Sequence, residues 1–322
     1  MRNLNWAILG LGTIATSFSE ALMNVNNEIY AVASRSQKKA EEFASKFNVK
    51  KIYGSYDEML NDENVDVVYI ATPHCNHYEY IMKSLKNNKH VLCEKAITVN
   101  ANELNEVIAL AKEKNLVVCE AMTIYHMPLY KKLSHIISTG KLGAVKMIQA
   151  SFGSCKENDI NNRFFNPTLA GGALLDIGTY ALSFTRFFLS SMPTEILTTV
   201  KPFSTGVDEQ SGILLKNKDN EMAVISLTMR AKMPKRGIVA LEEGFITIED
   251  YPRATKATIT HTATGKVEII EAGDSSKALE YEVIDMTTYI ERMENDTLNL
   301  SIDVMNIMHD VRNQWGIKYP FE

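Results

Sequence analysis

The segment Trp6-Ala7-Ile8-Leu9-Gly10-Leu11-Gly12-Thr13-Ile14-Ala15 constrains the fold more than any other stretch of the chain. Four apolar residues run without a break into two glycines one residue apart, and the residues after Gly12 read as the start of a helix. A buried strand that turns sharply into a helix is written this way. Glycine lets the turn close and lets the backbone approach a ligand, and the free N–H groups at the helix start favour an anion. Gly10, Gly12, Thr13 and Ile14 are therefore candidate contacts to a phosphate. The same letters also serve a tight turn that holds no ligand, so the loops further along must decide.

Between residues 5 and 120, short apolar runs alternate with amphipathic stretches. Strands are predicted at Trp6–Leu9, Ile29–Ala33, Val67–Ile70, His90–Cys93 and Leu116–Cys119, with helices at Ile14–Val25, Gln37–Phe47, His77–Asn87 and Ala101–Lys114. Strands apolar throughout and separated by helices imply an α/β doubly wound parallel sheet, with its ligand along the carboxyl ends of the strands. After Glu120 the texture changes. One helix, Pro128–Thr139, is followed by strands at Val145–Phe152, Glu195–Lys201, Gly212–Leu215, Ala223–Met229, Ile238–Leu241, Phe245–Glu249 and Ala257–His261. Strands following strands predict an α+β domain with a large, mostly antiparallel sheet. The expected division is a Rossmann-type domain over 1–122 and an α+β substrate and dimerisation domain over 123–322, with a last helix near 302–315 packing back. A chain of 322 residues is long enough for two cores.

The formal charge of −5 leaves no basic footprint, which argues against nucleic acid or an anionic membrane as partner. No run of about 18 apolar residues is present, so no membrane span is expected. The four cysteines, Cys75, Cys93, Cys119 and Cys155, form no C-x-x-C pair and follow no secretory leader, so free thiols in the cytoplasm are expected. His74, Cys75 and His77 lack a second ligand pair at zinc-like spacing, so no metal is expected.

The loop after the second strand reads Ala33-Ser34-Arg35-Ser36-Gln37-Lys38-Lys39. A dinucleotide site for NAD commonly carries Asp or Glu there, holding the ribose 2′-hydroxyl. Here Ser34 supplies a hydroxyl, while Arg35, backed by Lys38 or Lys39, supplies the positive charge that a 2′-phosphate needs. The expected cofactor is NADP, with NAD as the alternative.

Two further stretches carry a pattern: Val91-Leu92-Cys93-Glu94-Lys95-Ala96, and Gly171-Gly172-Ala173-Leu174-Leu175-Asp176-Ile177-Gly178-Thr179-Tyr180. Together with the glycine loop, Ala71-Thr72-Pro73 and Glu120-Ala121-Met122, they make the chain resemble the glucose-fructose oxidoreductase, inositol dehydrogenase and MocA family from end to end. Tyr180, where many members carry His, brings it nearest to that family's dihydrodiol and NADP-dependent xylose dehydrogenases. The resemblance implies a catalytic role for Lys95, and substrate-pocket roles for Asp176 and Tyr180. It implies a small polyhydroxylated substrate and a homodimer or homotetramer built through the second-domain sheet. Ala71, Thr72, Pro73, His77, Glu94 and Lys95 are placed on the cofactor side. Two departures stand out. Ala96 replaces the usual proline, and Thr123-Ile124-Tyr125-His126-Met127-Pro128 lacks the Trp and Arg of those relatives.

The chemistry also stands on the residues alone. Moving a hydride between a nicotinamide and a carbinol carbon requires a group that exchanges a proton with the oxygen. Tyr180 can do this if its pKa, about 10 unperturbed, falls. A nearby Lys95 ammonium favours the phenolate. Asp176, four residues before Tyr180, lies on the same helix face, where it can hold a substrate hydroxyl or orient Lys95. A catalytically silent dinucleotide sensor and an NAD-dependent inositol dehydrogenase are the competing readings. Phe184, Phe187, Phe188 and Leu189 are expected in the core or at a subunit interface.

Overall fold

The computed structural model describes residues 4–322. The chain forms two compact units: Met1–Ala121 with Ser276–Asn299, and Met122–Ser275 with Leu300–Glu322.

The first unit runs β1 (Trp6–Leu9), α1 (Thr13–Asn24), β2 (Ile29–Ala33), α2 (Gln37–Ala44), β3 (Lys51–Tyr53), α3 (Tyr56–Leu60), β4 (Val67–Ile70), α4 (His77–Lys86), β5 (His90–Glu94), α5 (Ala101–Lys114) and β6 (Val118–Ala121). All pairs are parallel, in the order β3-β2-β1-β4-β5-β6. The order reverses between β1 and β4, so the loops after Leu9 and Ile70 flank the switch point, where such sheets hold ligands. The sheet has one strand more than the sequence predicts. β3 is only three residues long, two of them exposed, so it carries no apolar run to reveal it. The core beneath α1 is aromatic: Phe18 stacks on Tyr69 with ring centres 3.6 Å apart, and Trp6 sits against Phe18 at 5.6 Å.

The second unit begins with α6 (Thr123–His126), α7 (Pro128–Ser138), β7 (Val145–Gly153) and α8 (Thr179–Phe188). It continues through β8 (Pro193–Pro202), β9 (Asp208–Asn217), β10 (Met222–Thr228), β11 (Gly237–Leu241), β12 (Gly244–Ile248), β13 (Lys256–His261) and β14 (Val267–Glu271). The eight strands are ordered β14-β13-β12-β11-β7-β10-β9-β8 and are antiparallel except for β7 with β10. One face is covered by α8, whose Phe184 and Phe188 are buried among Tyr130 and Tyr251 while Phe187 is half-buried; Leu189, just past the helix, is buried as well. The phenylalanine run after Tyr180 therefore belongs to the core. Along the opposite face a single row, Leu197, Leu214, Val224, Gln149, Ile238, Thr247, Thr258 and Ile269, crosses all eight strands in register.

One element late in the chain changes the expected organisation. α9 (Ala278–Arg292) presents Leu279, Val283, Met286 and Ile290 at helical spacing, and these residues share one core with Trp6, Phe18 and Leu22. Residues 276–299 therefore belong with the first unit; the single cut after residue 122 is corrected by this return, which local pattern could not reveal. α10 (Leu298–Trp315) stays with the second unit from residue 300 onward. It is fastened there by Arg186 Nε donating to Asp303 at 2.7 Å and by Trp315 Nε1 donating to Thr198 at 3.0 Å. Among the described residues, no helix is long and apolar enough to cross a membrane.

Candidate active site

In the first unit, the dinucleotide loop is shaped by how its two glycines are used. Gly10 has φ +91°, and a Cβ there would lie 2.9 Å from the Ala71 carbonyl, so the turn itself demands glycine. Gly12 differs. A Cβ built on it meets nothing within 4 Å, so no packing among the described residues explains this glycine. Gly12 is also the N-cap of α1, and no side chain caps that helix. Its first-turn N–H groups, from Thr13 and Ile14 onward, have the open approach that a phosphate requires. Leu11, Gly12, Thr13, Thr16, Lys39 and Lys46 share the lining of one surface depression.

Ser34 is buried, its N–H donating to Tyr53 O at 3.2 Å and its Oγ accepting from Ser36 N at 3.3 Å. Ser36 caps α2 by accepting from Lys39 N. Arg35 is exposed beside Tyr56, on which it exerts a charge interaction and a side-chain hydrogen bond. Lys39 and Lys46 both line the depression, together with Glu20 and Glu42. Lys38 does not line it and reaches Glu42 at 3.9 Å instead.

The loops after β4 and β5 are fastened to each other through histidine. His74 Nε2 lies 3.0 Å from the Lys95 carbonyl, and His77 Nδ1 lies 2.8 Å from the Ala96 carbonyl. His77 Nε2 is 2.8 Å from the Thr72 carbonyl. Next along the chain, Ile97 N donates to buried Glu120 at 3.1 Å. The Lys95–Ala96 peptide is cis. His77 is fully buried, and each of its ring nitrogens lies 2.8 Å from a backbone carbonyl. Burial, reinforced by the Lys95 charge and opposed by the two carbonyls, holds its pKa below that of an ordinary histidine. Glu94 accepts from the hydroxyl of Tyr69, whose ring is the one stacked on Phe18. Ala71 and Pro73 flank Thr72 at the switch-point loop, where Ala71 N donates to Leu9 O at 2.9 Å.

In the second unit, a π-helical turn at Leu174–Gly178 leads directly into α8, placing Asp176 and Tyr180 one turn apart. From Ala170 to Thr185 these two are the only residues that are not buried. π-helical turns are rare and frequent at functional sites. The start of this segment is built by a distant residue. Asp208, at the head of β9, accepts from Leu174 N at 2.6 Å, and Gly172, at φ +125°, is where Asp208 approaches so closely that a Cβ would lie 2.1 Å from its Oδ1. Tyr319 pins the preceding residue by donating to Gly171 O at 2.9 Å. Arg163 approaches Asp176 at 3.9 Å while its guanidinium stacks on Phe164, and the Phe152 ring lies 6.1 Å from that of Tyr180.

Sequence reasoning did not find Asp208, Arg163, or the bracing roles of His74, His77 and Glu120. Two histidines three residues apart after a strand were the one local signal. Asp208 had none, being 34 residues from its partner.

A parallel sheet with an uncapped, glycine-opened helix at its switch point, joined to an α+β unit, is the architecture of a Rossmann-type dinucleotide-binding protein. The chain belongs to the GFO/IDH/MocA family: residues 4–122 match the oxidoreductase family's NAD-binding Rossmann fold, and residues 130–247 match the GFO/IDH/MocA C-terminal domain. It is 31% identical to trans-1,2-dihydrobenzene-1,2-diol dehydrogenase of Xenopus tropicalis, over 98% of this chain and 99% of that protein. It is 32% identical to the NADP(+) D-xylose 1-dehydrogenase of Hypocrea jecorina, over 98% and 93%. The crystal structure of an NAD binding oxidoreductase from Klebsiella pneumoniae shares the fold, with a TM-score of 0.88 at 20% identity over 98% of this chain and 97% of that one.

Proposed function

We propose that the chain oxidises a carbinol or reduces a carbonyl carbon of a sugar, polyol or cyclic diol, using NADP in preference to NAD. When bound, the dinucleotide supplies the hydride acceptor or donor. Gly10, Gly12, Thr13 and Ile14 hold its phosphates, and Ser34 and Arg35, with Lys39 behind them, hold the 2′-phosphate. Lys95 acts with Asp176 and Tyr180: Tyr180 exchanges a proton with the substrate oxygen at its hydroxyl, Asp176 accepts from a substrate hydroxyl, and the Lys95 ammonium stabilises the negative charge that develops.

The observation that carries this reading is that Asp176 and Tyr180 alone are only partly buried within an otherwise buried stretch of 170–185. The diol and xylose dehydrogenases among the relatives support the substrate class. A homodimer or homotetramer assembled through the open face of the eight-stranded sheet, working in the cytoplasm, completes the proposal.

The test is a screen of aldoses, polyols, inositols and cyclic diols, followed by NADPH absorbance with both dinucleotides. Turnover with at least one class, faster with NADP, is expected. Tight NADP binding with no turnover on any class would replace the enzyme by a dinucleotide sensor.

A further inference from the structure

We propose that His77, assisted by His74, is the positioning residue for Lys95, holding the lysine loop by its backbone. The proposal rests on the reading of Lys95 as catalytic. Three consecutive residues of that loop are each gripped by a side chain from another element: the Lys95 carbonyl by His74, the Ala96 carbonyl by His77 and the Ile97 N–H by Glu120. Ala96 and Ile97 are fully buried, so of these three residues only Lys95 is partly exposed. The His74 and His77 rings meet edge to face, with centres 5.6 Å apart, so each limits the other's rotation.

The partners of His77 set the chemistry of the grip. Both are carbonyls, which accept only, whereas a neutral imidazole carries one N–H. A neutral His77 therefore donates to one of the two loops at a time. It grips either Ala96, beside the lysine, or Thr72, in the loop at the switch point. We assign the N–H to Nδ1, and so to Ala96. The Thr72 carbonyl is left near the second nitrogen, where that loop is already tied to β1 through Ala71 N and Leu9 O.

Two substitutions separate the nitrogens. Asparagine places its amide N–H near the position of Nδ1, and glutamine near that of Nε2. His77→Asn should keep kcat within about threefold, whereas His77→Gln should lower it by about tenfold or more with dinucleotide Kd unchanged, because a displaced catalytic group costs rate and leaves cofactor binding intact. His74 is half-buried and offers a second route: His74→Ala should lower kcat with little change in melting temperature, and His74→Gln should restore it. The proposal is overturned if Gln preserves kcat at position 77 and Asn does not, if the two variants behave alike, or if activity falls only in step with melting temperature. Lys95→Ala run alongside separates the two levels. Full turnover in that variant removes the catalytic role of Lys95 itself, whereas a dead Lys95→Ala beside unaffected histidine variants removes only the brace.

Discussion

Asp208 Oδ2 accepts a 2.6 Å hydrogen bond from the amide of Leu174, two residues before Asp176 and six before Tyr180. A buried carboxylate at the first turn of a helix satisfies its N–H groups and complements its dipole. It also carries a cost, since burial pushes the Asp208 carboxyl up from 3.8 to about 6, against the pull of the backbone N–H groups and of Arg312. Between those two values the folded protein holds a proton that the unfolded chain has released. Stability therefore falls as pH rises from about 4 to about 6, by at most about 3 kcal/mol, and stays lower above that. Asp208→Asn keeps an acceptor for Leu174 and removes the charge. Thermal melts should show the Asn variant gaining several degrees on the parent between pH 4.5 and 7.5. A constant gap across that range would mean that Asp208 does not titrate there.

Gly172 and Asp208 form one device. Gly172→Ala should cost about 1–3 kcal/mol for a side chain at positive φ, plus a comparable amount for the 2.1 Å approach to Asp208 Oδ1. Only the second part depends on Asp208. The penalty of Gly172→Ala should accordingly be smaller in an Asp208→Ala background, a coupling that a double-mutant cycle in denaturant measures. Strict additivity would show that the collision is relieved elsewhere.

Local physics left its mark on the sequence, and distant pairing did not. The apolar runs of β1, β2, β4, β5 and β6 and the Gly10–Gly12 turn announced the first sheet because each is decided by near neighbours. β3 and β14 escaped because their side chains are largely exposed, and α9 because its partner Phe18 is some 260 residues away in sequence. At the candidate site the residues proposed to touch ligands were readable, since function places unusual types there. Those that hold them, Asp208, His77 and Glu120, were not, because each is defined by a partner on another element. His77 was noticed as a cofactor-side histidine, but its burial between the Thr72 and Ala96 carbonyls had no local mark, because those partners lie on other parts of the chain.

Arg35 is the exposed cation nearest to buried Ser34, and no acid stands at the end of β2 to receive a ribose hydroxyl. Arg35→Asp should reverse the charge offered to a 2′-phosphate and lower the ratio of kcat/KM for NADP over NAD by about tenfold or more, the size of effect expected when a charge-assisted hydrogen bond to phosphate is removed. Lys39→Ala should reduce the same ratio less, and Lys38→Ala should leave it unchanged. An Arg35→Asp variant with the parental ratio would mean that Arg35 serves Tyr56 and solvent alone.

The open face of the eight-stranded sheet carries Leu197, Val224, Phe245, Val267 and Ile269 more than two-fifths exposed, spread over β8, β10, β12 and β14. The proposed oligomer uses this face, because a second copy of the same face is self-complementary about a twofold axis. Val224 lies near the middle of the row, flanked in register by Leu214 and Gln149. In Val224→Glu two like charges would be brought together across such an axis with no partner. Sedimentation velocity should then report a dimer or tetramer for the parent and a shift toward monomer for the variant, with the melting temperature of the isolated fold little changed because the site is exposed. An oligomer of unaltered size in Val224→Glu would place the interface elsewhere.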